Sequence, residues 1–390
     1  RTYQRKAIQN FLIFRYGILK IPTRGGKTFI AAEIIRLLRE REDVKVLFVV
    51  DTIDLFKQAI GDIASVLGID ENEVGRIRGE EFEIKGVNVG MIQTIQRILK
   101  TTTGSKESRE RKRMFKKYIE NTLDFLIVDE IQDYAYKLDL VKKCKKLKNI
   151  LFLSATPYKE DKIQNLNIDS LSGGIIYEVD ERKLVKSTVL SENRVLLFWL
   201  KHEETLESEY REMVKELIYE NEKRDEVIVK VLNMCDELGL KTLAIFNSVV
   251  HGESIQLKTG YNFISGKNNA KEREEAKERF LKKENIILVS DIWKKGITLP
   301  EAQIMFNIDG GKESSLVIQR RGRVLGTAEG KNKALIIDFI DDYTEYFNTH
   351  SLSRIEAYEE KIGMKNIDVL EIEDGEFYSN VFDYIQNWFS

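Results

Sequence analysis

Along the first half of the chain, short apolar runs alternate with stretches whose apolar positions recur every three or four residues. Residues 18–21, 44–50, 87–92, 125–128 and 149–153 are mostly apolar and read as strands, and 44–50 is the β-branched run typical of a strand buried on both faces. Residues 29–38, Phe-Ile-Ala-Ala-Glu-Ile-Ile-Arg-Leu-Leu, have helical spacing instead, and residues 1–10 read as a helix start. Strands spaced by helices predict an α/β fold with a doubly wound, mainly parallel sheet, which binds its ligand outside the carboxyl ends of the strands. From 181 to 238 the pattern turns charged and helical, as in a connector followed by the opening helix of a second domain. A second strand series at 242–246, 261–264, 285–289, 303–308 and 334–338 repeats the alternation. The predicted division is 1–182, 183–238 as connector and start of the second domain, 239–345, and 346–390 as a helical tail that packs on a domain.

Polar residues gather where the first series of strands ends. Residues 18–21 run into Pro22-Thr23-Arg24-Gly25-Gly26-Lys27-Thr28 and then into a helix. Glycines without side chains let successive N–H groups converge on a phosphate at a helix N-terminus, Lys27 can reach the β- and γ-phosphates, and the Thr28 hydroxyl can hold Mg²⁺. The full phosphate-loop pattern has glycine where this chain has Ile21, and a plain glycine turn before a surface helix is the bland alternative. Asp129-Glu130 follows the strand at 125–128 and supplies what phosphoryl transfer needs: Asp129 for Mg²⁺ through water, and Glu130 to polarise the attacking water. Only one Gly-Lys-Thr is present for two sheets, so the nucleotide is expected to bind to the first and be completed by the second.

Composition narrows the partners. At 390 residues the chain is long enough for two domains, and 42% apolar content supplies ordinary cores. No apolar run approaches the ~18 residues of a membrane span, so a soluble protein without membrane contact is expected. The chain opens on Arg1, which leaves room for an upstream domain outside this sequence. Cys144 and Cys235 lack metal or CxxC spacing and read as buried thiols of a reducing compartment, which predicts a cytoplasmic location. His202, His251 and His350 are scattered without metal spacing. Net charge is −2, from 62 basic and 64 acidic residues, so nucleic-acid affinity must come from local patches. The basic runs 106–117 and 142–148 read first as solvated helix faces, with contact to displaced strand or duplex as the alternative for the former.

Tyr3-Gln4, Gly25-Gly26-Lys27-Thr28, Asp129-Glu130-Ile131-Gln132, Ser154-Ala155-Thr156, the Ser290-Asp291 and Gly296 segment, and Gln319-Arg320-Arg321-Gly322-Arg323 fall in the order and spacing of superfamily 2 helicases. Over residues 1–340 the chain resembles the DExH-type branch and, in its compact build, phage recombination and branch-migration DNA helicases. The resemblance implies two tandem RecA-like domains, each a mainly parallel doubly wound sheet, with a helical C-terminal tail. It implies ATP and Mg²⁺ as cofactors, with Tyr3, Gln4, Thr23, Arg24, Gly25, Gly26, Lys27, Thr28, Gly296 and Arg320 binding the nucleotide and Thr28 and Asp129 the metal. Gln4 would read the adenine edge; the alternative for it is a helix-face glutamine.

By the same resemblance Lys27, Glu130, Gln319 and Arg323 are catalytic, with Arg323 the arginine finger. Ser154 and Thr156 would couple hydrolysis to domain movement. Gly326 stands where relatives have a second arginine, and Arg320, Arg321 or Lys331 are the candidate substitutes. Arg24 stands where a small residue is usual, and Thr298 where many relatives have aspartate. Gly266, Arg273 and Phe280 match a structural segment. Thr52, Thr94, Gln96, Arg97, Asn247, Ser248, Ser290 and Lys294 would grip a nucleic-acid backbone, which carries no sequence information. Taken singly, each of these also suits a helix cap or turn. The implied activity is ATP-driven movement on single-stranded or branched DNA, with RNA as the alternative, in a bacterial or phage-infected cell. It would unwind or remodel recombination and repair intermediates. The rivals are the motor of a restriction or defence system and an ATP-binding nucleic-acid clamp with weak turnover, which Gly326 keeps open.

Overall fold

A computed structural model describes residues 1–100, 105–133, 139–158, 161–201, 209–290, 299–311, 314–372 and 375–390. The chain forms two compact units, Arg1–Asp180 and Glu181–Ser390. In the first, α1 (Thr2–Phe14), β1 (Tyr16–Lys20), α2 (Lys27–Arg39), β2 (Val46–Val50), α3 (Ile53–Leu67), β3 (Gly75–Arg78) and β4 (Glu81–Glu83) come first. Then follow β5 (Val87–Met91), α4 (Ile92–Lys100), α5 (Lys106–Asn121), β6 (Phe125–Asp129), α6 (Asp139–Lys143), β7 (Asn149–Ser154), α7 (Lys162–Ser172) and β8 (Ile175–Glu178).

The sheet of this unit has the order β4-β3-β5-β2-β6-β7-β1-β8, and only the β3–β4 pair is antiparallel. The Val46–Val50 run is buried at every position because helices cover both faces of the sheet. Register sets the functional edge. β1 pairs β7 with Lys20 opposite Ser154, and β7 pairs β6 with Leu153 opposite Asp129. The loops that leave β1, β6 and β7 therefore emerge side by side. On the basic stretch, α5 buries Phe115, Tyr118 and Ile119, while Arg111 pairs Glu80 and Glu107 at the surface. That is the solvated-face reading.

The second unit holds α8 (Glu181–Lys186), β9 (Glu192–Lys201), α9 (Tyr210–Val214), α10 (Glu222–Glu237), β10 (Thr242–Phe246), α11 (Val249–Thr259), β11 (Phe263–Ile264) and α12 (Ala270–Lys282). It continues with β12 (Ile286–Ser290), β13 (Ile304–Asn307), α13 (Ser314–Arg321), β14 (Lys333–Asp342), α14 (Glu345–Ile362), β15 (Ile367–Glu371) and α15 (Phe377–Phe389). Its sheet, β11-β12-β10-β13-β14-β9-β15, is parallel at every described pair.

One reading needs correction here. The 183–238 stretch is no simple helical connector: β9 lies inside the sheet, pairing β14 from Glu192 opposite Lys333 to Lys201 opposite Asp342. Its charged ends merge into a charged sequence, which hides the apolar centre at 195–200. The C-terminal tail is helical and packs on the domain, as expected, with α15 burying Phe377, Val381, Ile385 and Trp388 in the core; it also adds β15 to the sheet beyond β9. Trp388 also donates its indole N–H to the Ala334 carbonyl at 3.2 Å. No helix among the described residues is long and apolar enough to cross a membrane.

Candidate functional site

In the first unit the phosphate loop is held by backbone conformation. Gly26 sits at φ +77° just before α2, a left-handed conformation that favours glycine, and a Cβ there would press on the end of the Gln4 side chain at 2.8 Å. Arg24, at the position where relatives are small, also has positive φ (+68°). The Tyr3 hydroxyl donates to the Gly25 carbonyl at 2.9 Å, and so α1 fixes the loop from outside. The Thr23 and Thr28 hydroxyls make no hydrogen bond among the described residues. At α2 the first residue, Lys27, is nearly buried and donates to Glu130 Oε1 at 2.7 Å.

Glu130 is the second anchor. Its φ of +50° is left-handed, a conformation that costs a non-glycine residue about 1–3 kcal/mol and persists where the surroundings over-determine it. Here its N–H donates to Asp129 Oδ1 at 3.1 Å, and its Oε2 accepts from Gln132 Nε2 at 2.7 Å. Gln132 Oε1 in turn accepts from the Ser154 hydroxyl at 2.6 Å, and Ser154 Oγ accepts from the Thr156 N–H at 2.9 Å. Gln164 on α7 braces the Gln132 carbonyl at 3.0 Å. A continuous hydrogen-bonded chain thus joins Lys27, Glu130, Gln132, Ser154 and Thr156. Gln132 is its pivot, a residue quoted in the sequence motif without a role; its spacing two residues after Glu130 was the signal.

Electrostatics follow from burial. Asp129 is buried, and desolvation lifts its carboxyl to about 7; Lys27 opposes the rise, while Glu130 and Asp51 add to it. For Lys27, burial alone lowers the ammonium pKa, but Glu130 and Asp129 outweigh it and hold the group above its ordinary value. The Thr28 hydroxyl, without a hydrogen-bond partner among the described residues, and the buried Asp129 carboxyl are oxygen ligands of the kind a divalent cation carrying phosphate oxygens takes. The buried Thr156 Oγ1 also has no partner.

The nucleic-acid candidates are spread over both units. Thr52 and Ser248 cap α3 and α11, accepting from the Leu55 and His251 N–H groups, and Thr94 Oγ1 accepts from the Gly79 N–H. Arg97 is exposed and donates to the Gly79 carbonyl at 3.1 Å; Gln96 is half-buried, and Ser290 is buried at the end of β12. Asn247 follows β10. Lys294 and Gly296, with Asp291 and Thr298, lie outside the described residues, as does His202.

The arginine motif divides by role. Arg320, expected at the nucleotide, is buried within the second unit and donates to Asn307 and Gly310 oxygens and to Asn247 Oδ1. Arg321 is buried; its Nη2 donates to both Glu181 carboxylate oxygens, at 2.7 and 2.6 Å, and its Nη1 to Asn193 Oδ1 at 2.8 Å. Lys331 Nζ caps the Pro300, Val324 and Gly326 carbonyls. All three candidate substitutes for a second arginine are thus engaged within the second unit, and the Gly326 carbonyl is held by Lys331 and by the Ser191 hydroxyl. Gln319 is half-buried and Arg323 is buried; the Arg323 N–H closes a turn on the Arg320 carbonyl.

A second buried cluster centres on His251. His251 donates from both ring nitrogens, to Asp309 at 2.5 Å and Asp225 at 2.9 Å, and Asp309 also accepts the Asn247 and Ser248 N–H groups. Lys258 pairs Asp225 from α11, and the rings of Tyr219 and Phe246 close the remaining sides. Burial alone would lower the imidazole pKa, but Asp309 and Asp225 outweigh it and lift it to about 9. A folded pKa above the ordinary ~6.5 contributes stability that is complete below that value and lost as pH rises through about 9. The melting temperature of the full chain is therefore expected to fall between pH ~7 and ~10, and His251→Gln to flatten that dependence. Trp199 and Trp388 belong to the second unit, so their emission reads this transition.

Fold and site together define a phosphate-loop nucleotide-binding protein with two parallel α/β sheets. Residues 1–159 match the family described as type III restriction enzyme, res subunit, and residues 209–325 the helicase conserved C-terminal domain. A helicase of Sulfolobus islandicus filamentous virus is 24% identical over 374 residues, covering 87% of this chain and 64% of the relative. The chain thus spans under two thirds of that relative's length. The ATP-dependent DNA helicase uvsW of Enterobacteria phage T4 is 23% identical over 389 residues, covering 91% of this chain and 74% of the relative. Among solved structures, S. cerevisiae Dbp5 bound to RNA and ADP BeF3 superposes with a TM-score of 0.66 at 13% identity, covering 100% of this chain and 93% of that one. The two units have the tandem RecA-like fold. The two matched regions together make the chain similar to the superfamily 2 helicases, phage members included.

Proposed function

We propose that the chain is the motor of a DNA helicase or translocase that unwinds or remodels branched recombination and repair intermediates. The observation that carries the reading is the hydrogen-bonded chain from Lys27 through Glu130 and Gln132 to Ser154 and Thr156. A change at the γ-phosphate alters what Lys27 and Glu130 bind, and Gln132 passes that change to the loop after β7. ATP is the substrate: Gly25, Gly26 and Lys27 hold its phosphates, Gln4 its adenine, and Glu130 orients the attacking water. Thr28 and Asp129 would hold Mg²⁺, which neutralises phosphate charge. Arg323 meets the charge that grows on the γ-phosphate. DNA is favoured over RNA by the name and near full-length similarity of the phage helicase.

The test is phosphate release with no nucleic acid, with single-stranded DNA and with branched DNA, followed by strand displacement on a fork, a four-way junction, an R-loop and duplex RNA. Turnover stimulated by DNA and displacement strongest on branched DNA are expected. Turnover indifferent to DNA would refute the motor reading. A second reading is the motor of a restriction system, favoured by the family matched over residues 1–159. It predicts translocation along duplex DNA without strand separation. Binding of ATP and DNA with little turnover would favour a clamp, consistent with a structural Gly326.

A further inference from the structure

Over the carboxyl ends of β10, β13 and β14 the second unit has a cavity of about 480 Å³, within the roughly 300–1,000 Å³ that small ligands occupy. Its wall is not ordinary helix. α9 runs on into a π-helical turn, Lys215–Tyr219, which brings Ile218 and Tyr219 to the cavity. Such turns are rare and concentrate at functional sites. Tyr210, which opens α9, is 42% exposed. Phe347 stacks on it at 5.9 Å and 27°, and His350 meets it edge-on at 5.8 Å, so packing holds the ring in place.

The polar groups are equally specific. A guanidinium only donates, so Asn247 must turn its Oδ1 to Arg320, and its backbone N–H goes to Asp309. That leaves the Asn247 Nδ2 amide with no partner among the described residues, on a side chain that lines the cavity. Asp309 and Asp341 also reach the cavity, but His251 compensates the first and Arg224 with Arg354 the second, so the wall does not repel an anion. Arg211 lines the cavity, is exposed and forms no ion pair among the described residues.

A fixed, partly open aromatic face, one amide donor and an unpaired guanidinium suit a nucleotide: ring on Tyr210, a base acceptor to Asn247 Nδ2, phosphate to Arg211. We infer that this cavity takes one unstacked nucleotide of the bound single strand. Stacking is sequence-tolerant, as tracking along DNA requires. The inference rests on the nucleic-acid reading above and adds to it a named base-stacking residue.

The full chain is mixed with oligothymidylate of about 12 nucleotides, inside the ~4–16 nucleotide site range of single-strand binders, with one 2-aminopurine walked along it. One position is expected to be quenched. Tyr210→Ala should abolish that quench and weaken binding about 5- to 150-fold, the cost of one base stack. Tyr210→Phe should keep both, and Arg211→Glu should weaken binding without moving the tryptophan-monitored melting temperature. If the wild type binds DNA and Tyr210→Ala, melting as the wild type, keeps the quench and the affinity, the inference falls while the helicase reading stands. If millimolar dTMP removes the quench while strand affinity is unchanged, the cavity binds free nucleotide and the strand assignment is overturned. A wild type that neither binds single strands nor responds to them in turnover overturns the helicase reading itself.

Discussion

Glu130→Gln is expected to lower ATP turnover by about 10²–10⁴-fold while leaving ATP affinity within a few-fold of the wild type. The carboxylate accepts on both oxygens, from Lys27 at 2.7 Å and from Gln132 Nε2 at 2.7 Å. A glutamine has one acceptor and one donor there. Keeping its oxygen on Lys27 places its NH₂ against the Gln132 NH₂. Gln132 can flip its amide to accept, but then its nitrogen faces the Ser154 hydroxyl, which now donates to Gln132 Oε1 at 2.6 Å. The substitution therefore removes the water-orienting carboxylate and also disturbs the path from Glu130 to Thr156, while Gly25, Gly26 and Thr28 are untouched. Phosphate release and equilibrium binding of a fluorescent ATP analogue measure the two effects separately. Wild-type turnover in the variant would refute the assignment of Glu130.

Arg323→Ala and Arg321→Ala should fail in opposite ways, although two residues apart. Arg323→Ala is expected to lower kcat by about 10³–10⁵-fold, the range an arginine finger supplies, with a far smaller change in KM for ATP. Arg321→Ala leaves the Glu181 carboxylate buried without its cationic partner. Breaking such a pair costs about 3–5 kcal/mol, or roughly 6–20 °C in the melting temperature of a domain this size. Steady-state kinetics and thermal unfolding on both variants check the contrast. An Arg323→Ala enzyme with wild-type kcat, or an Arg321→Ala protein with wild-type melting, would reject the respective role.

The strands that frame the site were legible because each is an apolar run ending in a polar cluster: Tyr16–Lys20 before the glycines, Phe125–Asp129 before Glu130, Asn149–Ser154 before Thr156. The ones that were not legible lack that contrast. Gly75–Arg78 and Glu81–Glu83 are short, charged strands at one end of their sheet, and Ile367–Glu371 mixes apolar and acidic residues in a helical-looking tail. Arg320 was placed at the nucleotide because its neighbours belong to a catalytic motif; only packing reveals that Asn247, Asn307 and Gly310 hold it. Gly326 likewise reads as a missing arginine in sequence and as a braced backbone position in the fold.

By itself the amino-acid order determined the alternation of buried strands and helices, the glycine pair ahead of Lys27 and Thr28, and the acid pair at Asp129 and Glu130. Those signals are local: burial periodicity, backbone freedom and charge at a strand end are each written within a few consecutive residues. Tertiary structure alone decided which partners the charges and amides found. Gln132 meets Ser154 from 22 positions away, Asp225 and Asp309 close on His251 from 26 and 58 away, and Glu181 reaches Arg321 across 140. Such pairings depend on strand order and register, and no short-range pattern encodes them.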